Sequence, residues 1–327
     1  MNTLHRRSAL LTLAAAGLAS PALAQPAITH TRRYPDRPIE LIVGFSAGGG
    51  TDVTARTFAR FLEKELGGSV VVNNRAGASG EIGLAYVARA RPDGHTLGIT
   101  NMPGLVSLPI ERRTPQFTLD DFEYVANLVS DPSAFSVPAA SPIRDFADLV
   151  AKAKQAPDTI SFGSTGVGTD EHLALVMFQA ASGAQLIHVP FPGAGPMRTA
   201  VLGNQVEVAG LNVGEVAGSP AGVRMLVQGG ETRSPFAPGV PTFKQAGFDV
   251  TMSSERGIVL AKGTPADVVA RLREATAKVA ADPAFQEQCR VQFTEMDYLD
   301  GPAWCVRLSE ADRRFRQMWQ RQPWSEA

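Results

Sequence analysis

Short apolar runs that end in glycine-rich turns and give way to helical patterns recur along this 327-residue chain. No other feature limits its fold so tightly. The first instance is the clearest. Ile39 to Val43 is apolar, Phe45 to Asp52 reads F-S-A-G-G-G-T-D, and Phe58, Leu62 and Leu66 then recur at four-residue spacing with Ala55 and Ala59 beside them. This is a strand, a glycine turn and a helix. Glycines let the backbone adopt positive φ and approach a bound group closely. Thr51 or Asp52 is the expected N-cap. The first-turn N–H groups of the helix would then face whatever sits over the glycines, which makes an anion site. A tight turn with no ligand is the plainer reading of the same residues.

The pattern repeats. Ser69 to Asn73 predicts a strand ending at the loop Asn74 to Gly80, followed by a helix over Glu81 to Arg91 and a strand over His95 to Thr100. Asn101 to Asp121 reads as irregular, and Phe122 to Val137 as one or two strands broken at Asp131-Pro132. A second unit of the same style opens at Ser141. It carries a helix (Asp145 to Gln155), a strand (Thr159 to Ser164), the glycine loop Thr165 to Thr169 and a helix (Asp170 to Ser182). The strand Leu186 to Phe191 then leads to a fourth loop, Pro192 to Pro196. Thr251 to Ala261 looks extended, and two amphipathic helices, Pro265 to Ala280 and Pro302 to Arg321, close the chain. Strands alternating with helices imply mainly parallel sheets flanked by helices, with ligands beyond the carboxyl ends of the strands. The expected architecture is therefore two α/β lobes with two crossovers between them. Residues 25–125 with 252–327 form the first lobe and 126–251 the second.

Met1 to Ala24 stands outside that fold. Arg6 and Arg7 precede an apolar run, Ala9 to Ala19, and Ala22-Leu23-Ala24 is a small-residue cleavage site. This reads as a secretory signal peptide cleaved after Ala24, with the arginine pair admitting a twin-arginine route. Its removal takes two of the 31 basic residues and none of the 32 acidic ones, so the exported chain is slightly acidic. Nucleic acid is not an expected partner. Export permits a disulfide between the only two cysteines, Cys289 and Cys305, which fall in neighbouring predicted helices joined by a turn. The bridge is the expectation and two buried thiols the alternative.

Motifs for catalysis are missing. Gly48 to Asp52 lacks the Lys-Ser/Thr of a phosphate loop, no G-x-G-x-x-G follows Val43, and the glycines around Ser164 do not form a nucleophile elbow. The histidines are scattered, and no Cys/His zinc cluster exists. No cofactor or metal is expected, and the pattern favours binding over chemistry.

Several short motifs, in order, carry a family likeness. They are Tyr34-Pro35-Asp36-Arg37-Pro38-Ile39; Gly48-Gly49-Gly50-Thr51-Asp52; Asn74-Arg75 with Gly77, Ala78 and Gly80; and Pro92-Asp93-Gly94-His95-Thr96-Leu97. Then come Gly163 to Gly168 with His172-Leu173, Val189-Pro190-Phe191 with Gly193, Pro241-Thr242-Phe243, and Lys262-Gly263-Thr264-Pro265. On these the chain resembles the Bug receptors, the periplasmic solute-binding proteins of tripartite tricarboxylate transporters. The resemblance implies a type II, Venus-flytrap fold, a small carboxylate ligand held largely by backbone N–H groups, and membrane transporter subunits as partners. It implies a receptor rather than an enzyme, and a monomer is expected. By position, the ligand loops would be Ser46, Ala47, Gly48, Gly49, Thr51 and Asp52 on one side. On the other they would be Ser164, Thr165, Gly166, Gly168 and Thr169, with His172 behind them and Gly193 and Ala194 at the border.

Three departures bear on the ligand. Ser46 and Ala47 stand where the family usually has prolines, and the serine adds a donor and a hydroxyl. Asp170 and Glu171 follow the Ser164–Thr169 loop and would oppose an anion unless they point away, which suits a ligand bearing an amine or a neutral second end. Ser253 to Arg256 replaces a commonly aromatic stretch. A same-fold module serving a sensor is the alternative function, and a hydrolase using Ser164 and His172 a weaker one.

Overall fold

The computed structural model describes residues 34–218 and 220–324. The signal-peptide reading and most of the polar lead before Pro38 lie outside the described residues. The first elements are β1 (Ile39–Val43), α1 (Gly50–Leu66), β2 (Val70–Asn74), α2 (Glu81–Ala88), β3 (Thr96–Ile99) and α3 (Gly104–Glu111). A 17-residue strand follows, β4 (Phe122–Pro138). Next come α4 (Phe146–Gln155), β5 (Ser161–Ser164), α5 (Asp170–Ser182), β6 (Ile187–Pro190), α6 (Ala194–Leu202), β7 (Val208–Asn212), α7 (Val213–Ala217) and β8 (Val223–Gln228). The chain closes with β9 (Ser253–Ala261), α8 (Ala266–Ala281), α9 (Pro283–Val291), β10 (Glu295–Asp300) and α10 (Gly301–Arg321).

The strands run β2-β1-β3-β9-β4-β7-β5-β6, with β8 and β10 also paired to β4. β1 is parallel to β2 and β3, and β5 is parallel to β6 and β7. Around β4 every pairing is antiparallel, so each half is parallel on its outer side and mixed where the halves join. Two α/β sheets flanked by helices and joined through one shared strand are the two-lobe architecture that the alternation implied.

β4 does not break at Asp131-Pro132. Its pairing with β9 ends at Pro132 opposite Ser253, and its pairing with β7 begins at Ser133 opposite Asn212. Proline has no N–H to donate, and it sits where the strand changes partners. Tyr124 pairs with Val259 and Ala126 with Ile258, so the expected side-by-side strands near 125 and 252–260 are present. The return segment is tied at the same place: Ser133 N–H donates to Met252 O, and Met252 N–H to Gly229 O.

Three further expectations fail. Residues 101–121 are not wholly irregular: α3 forms despite Pro109, which forgoes only one intrahelical bond. The cysteines are not in helices joined by a turn, since β10 runs between α9 and α10. Cys289 and Cys305 are both free. Cys289 is buried in the cluster that holds Phe58 and Phe285 where α9 meets α1, with those rings edge-on at 6.5 Å. Cys305 packs on a different cluster, beside Trp304 of α10. The strand between their helices puts the two thiols on separate faces of the core, which is why export alone is not enough to join them.

The C-terminal helices cover the first sheet. α8 and α9 pack on α1, and α10 on α3 and β4. Trp304 is fully buried, edge-on to Tyr124 at 5.4 Å, and would lie 2.4 Å from a side chain at Gly257.

Candidate functional site

The first loop is held by its own acid. Gly48 has φ +88, while Gly49 is extended and is the N-cap residue of α1, with no side-chain cap. Thr51 and Asp52 lie inside the helix and cap nothing, contrary to expectation, because the helix starts one residue before Thr51. Asp52 instead accepts from Gly48 N–H (3.0 Å), Arg56 Nε (3.0 Å) and Asn74 Nδ2 (2.9 Å). Burial opposes its ionisation, but those three donors together hold its carboxyl below the ordinary range. Asn74 also donates to Phe45 O, so the second glycine loop braces the first.

The Ser164–Thr169 loop satisfies its own donors too. Gly166 N–H donates to Ser164 Oγ, and Gly168 N–H to His172 Nδ1, both at 3.1 Å. Thr169 Oγ1 donates to Gly166 O at 2.7 Å. His172 is buried and stacked on His188 with ring centroids 4.1 Å apart. Burial, then His188, pushes its pKa down to about 3. A neutral ring whose Nδ1 accepts from Gly168 is a structural brace for the turn. Ser164 Oγ lies 2.6 Å from His188 Nε2, so a Ser164–His172 hydrolase dyad is not the arrangement present.

The loops meet crosswise. Ser46 donates to Pro192 O through N–H (3.4 Å) and Oγ (3.3 Å). A Cβ on Gly193 would meet Ser46, one on Gly195 would face Ala47 O, and one on Gly49 would sit 3.5 Å from Ala194. The first loop therefore touches the fourth. The Ser164–Thr169 loop faces the second loop and α3: a Cβ on Gly166 would meet Ser79 Oγ, and Ser107 Oγ donates to Gly168 O at 2.5 Å. Ser46, Ala47, Gly49, Gly193 and Ala194 are brought together. Ser164, Thr165, Gly166, Gly168, Thr169 and His172 form a second assembly against Ser79 and Ser107.

Asp170 turns away from the loop, while Glu171 is held by the loop's own Thr165. Asp170 Oδ2 accepts from Ser133 Oγ and Asn212 Nδ2, each at 2.7 Å, and Glu171 accepts from Thr165 Oγ1 at 2.8 Å. Both are fully buried. Burial pushes Asp170 up to about 6 despite its bonds from Ser133 and Asn212, and raises Glu171 well above the usual carboxylate range.

Three residues that the sequence reading did not assign to the site stand near the loops. Arg256 of β9 is 1% exposed and reaches Asp131 Oδ2 (3.3 Å) and Asn212 Oδ1 (3.1 Å). Asp131 also accepts from Gly214 N–H at 2.9 Å. Burial outweighs Arg256, with Glu215 adding to it, and pushes the Asp131 carboxyl up to about 7. Glu215 of α7 accepts from Gly50 N–H at 2.7 Å across the two halves. Asp131 and Arg256 are charges set among mostly apolar, buried strand residues, and that was the available signal. Glu215 gave no signal, because its helix is only five residues long. A cavity of about 400 Å³ opens between α1, α6, α7 and residues 291–294, with Gly50, Asp131, Arg198, Glu215 and Phe293 among its walls.

Residues 54–301 match the sequence profile described as the tripartite tricarboxylate transporter family receptor. A Cupriavidus necator protein, described as a UPF0065 protein in the gbd 5′ region, is 34% identical over 310 residues, covering 92% of each chain. Among solved structures, the periplasmic binding protein BugD superposes with a TM-score of 0.83 at 28% identity, over 88% of this chain and 98% of that one. A Rhodopseudomonas palustris protein with adipate gives 0.83 at 26%, over 88% and 97%.

Proposed function

The chain belongs to the tripartite tricarboxylate transporter receptor family, and we propose that it captures a small carboxylate between its two halves and hands it to the membrane subunits of such a transporter. It is a solute-binding protein rather than an enzyme. One observation carries the reading. Each sheet sends a strand-turn-helix unit toward the other half, Gly49 approaching Ala194 and Gly166 approaching Ser79. The adipate in the R. palustris relative supports the ligand class. In this reading the lobes are residues 25–125 with 252–327 and residues 126–251, β4 and β9 form the hinge, and the chain acts as a monomer in the periplasm after cleavage at Ala24. Closure about such a hinge would bury the solute and create the face that a transporter reads.

The ligand contacts come from Ser46 to Asp52 and Ser164 to Thr169, with Gly193 and Ala194 at the edge. Charge-assisted hydrogen bonds to a carboxylate contribute ~1.5–3 kcal/mol each. A few of them, desolvated on closure, reach the roughly −8 kcal/mol of micromolar binding. Several N–H groups of these loops already have acceptors within the chain, so binding exchanges partners rather than filling a bare site. A thermal-shift screen of C3 to C6 mono-, di- and tricarboxylates, aromatic acids and acidic amino acids tests the proposal. At about 100 times its dissociation constant a true ligand stabilises the fold by ~2.7 kcal/mol. No shift from any carboxylate would sink it.

A further inference from the structure

The Ser164–Thr169 loop rests on a seat that the other half of the molecule provides. Ser107 and Glu111 are one turn apart on α3, so their side chains share a face of the helix. Ser107 is fully buried, and its Oγ donates to Gly168 O at 2.5 Å. Glu111 lies against the same glycine: a Cβ on Gly168 would stand 2.7 Å from Glu111 Oε2 and 3.0 Å from Ser107 Oγ. Gly168 has φ +77, and its N–H is spent on His172 Nδ1. Space and backbone together therefore admit only glycine at this point of the loop.

A carboxylate set beside a glycine turn needs partners of its own. The Glu111 side chain is 1% exposed, and burying a charge is costly unless it is paired and hydrogen-bonded. Arg112 Nη1 lies 3.1 Å from Oε1, and Trp324 Nε1 donates to Oε2 at 2.5 Å. Oε2 is the oxygen that faces Gly168. Trp324, beyond α10, is itself buried, edge-on to Trp319 at 4.7 Å and to Phe315 at 6.4 Å. Its indole N–H thus fixes that oxygen, across 213 positions, where the loop comes down. Without the donor the carboxylate would turn toward Arg112, and the surface under Gly168 would change shape.

We propose that Trp324 is a positioning residue for closure: through Glu111 it shapes the seat on α3 that receives Gly168, and so sets how firmly the Ser164–Thr169 loop is held where the two halves meet. The inference rests on the reading of the cleft as one that closes between the two halves. It adds to that reading a residue that stands outside both ligand loops.

The test is amide hydrogen exchange, resolved by residue, on the ligand-free chain lacking residues 1–24. Trp324→Phe keeps a ring beside Phe315 and Trp319 and removes the indole donor. It should speed exchange of the Gly166, Gly168 and Thr169 amides about tenfold or more, while the β8 amides stay within about twofold. Ser107→Ala, which removes the seat's own hydrogen bond, should do the same. Trp319→Phe disturbs the same aromatic cluster without removing a donor to Glu111, and should leave the loop amides within about twofold. Because Trp324 acts through the seat, the Trp324→Phe, Ser107→Ala double variant should exceed the stronger single by less than about threefold. Unchanged loop amides in Trp324→Phe overturn the inference. A rise shared equally by β8 also overturns it, since Trp324 would then support the whole fold, and so does a double variant equal to the product of the singles. None of these outcomes bears on the carboxylate-receptor reading, which the thermal-shift screen judges separately.

Discussion

The Phe45–Asp52 and Ser164–Thr169 turns follow parallel strands, open helices without a side-chain cap and place acids in the first helical turn, yet the two acids do opposite work. Asp52 turns back on its own loop and is neutralised by Arg56 beside it. Asp170 turns inward to the shared strand β4 and to Asn212, with hydroxyl and amide partners only. A like sequence signature therefore yields a locally balanced turn in one half and a charge buried at the junction in the other. The difference follows from what each helix start covers: α1 opens beside the loop at Asn74, and α5 opens onto the crossover.

The junction is the place to break this comparison. Arg256→Ala removes the cation facing Asp131, and losing one partner of a buried pair costs ~3–5 kcal/mol. The low end, about 3 kcal/mol at pH 8, is expected here because Asp131 can take up a proton, and at pH 5 the loss should be smaller. Denaturant titrations at both pH values check this. Equal losses would mean that the ion pair is not what holds the junction.

Glycine substitutions sharpen the contrast between the turns. Gly166 has φ +131 and would bring a methyl within 2.4 Å of Ser79 Oγ, so Gly166→Ala should cost about 2 kcal/mol and weaken ligand binding. Gly49 has φ −83 and nothing closer than 3.5 Å, so Gly49→Ala should change stability by less than ~0.5 kcal/mol. A larger loss at Gly49 than at Gly166 would reverse the assignment of which turn is sterically closed.

The two acids should also titrate with opposite signs. Asp170 is raised to about 6, so the folded state keeps a proton that the unfolded chain has lost, and its contribution falls as pH rises from about 4 through 6. Asp52 is depressed, so its contribution is present above the ordinary aspartate pKa and is lost as pH falls through its folded value. His172, pushed down to about 3, makes the fold lose stability as pH drops below about 6.5. Thermal unfolding against pH should therefore show Asp170→Asn removing a decline between pH 4 and 6 and Asp52→Asn lowering stability most at neutral pH. Matching profiles for the two variants would contradict the geometry.

The smallest effect concerns the thiols. Cys305 should react with a thiol reagent in the folded protein and Cys289 only after denaturation, while reductant leaves the unfolding temperature unchanged. A reductant-sensitive transition would restore the disulfide.

Most of the strands and helices were legible because an apolar period survives any tertiary arrangement. The helix predicted over Asp170 to Ser182 matches residue for residue. The site was legible as loops and illegible as an electrostatic unit. Gly48 to Asp52 and Gly166 to Thr169 announce themselves by composition. That Gly50 would donate to Glu215, 165 residues away, has no local trace.

The sequence by itself determined the α/β alternation, the glycine turns, the family and the receptor function, since each rests on local pattern or on motifs in order. Tertiary structure alone decided which loops face each other, that β10 separates the cysteines, and that Arg256 and Glu215 stand at the junction. The reason is physical: backbone preference acts over a few residues, whereas burial and charge pairing depend on which distant strands share a sheet, and β4 brings Asp131 against Arg256 across 125 positions.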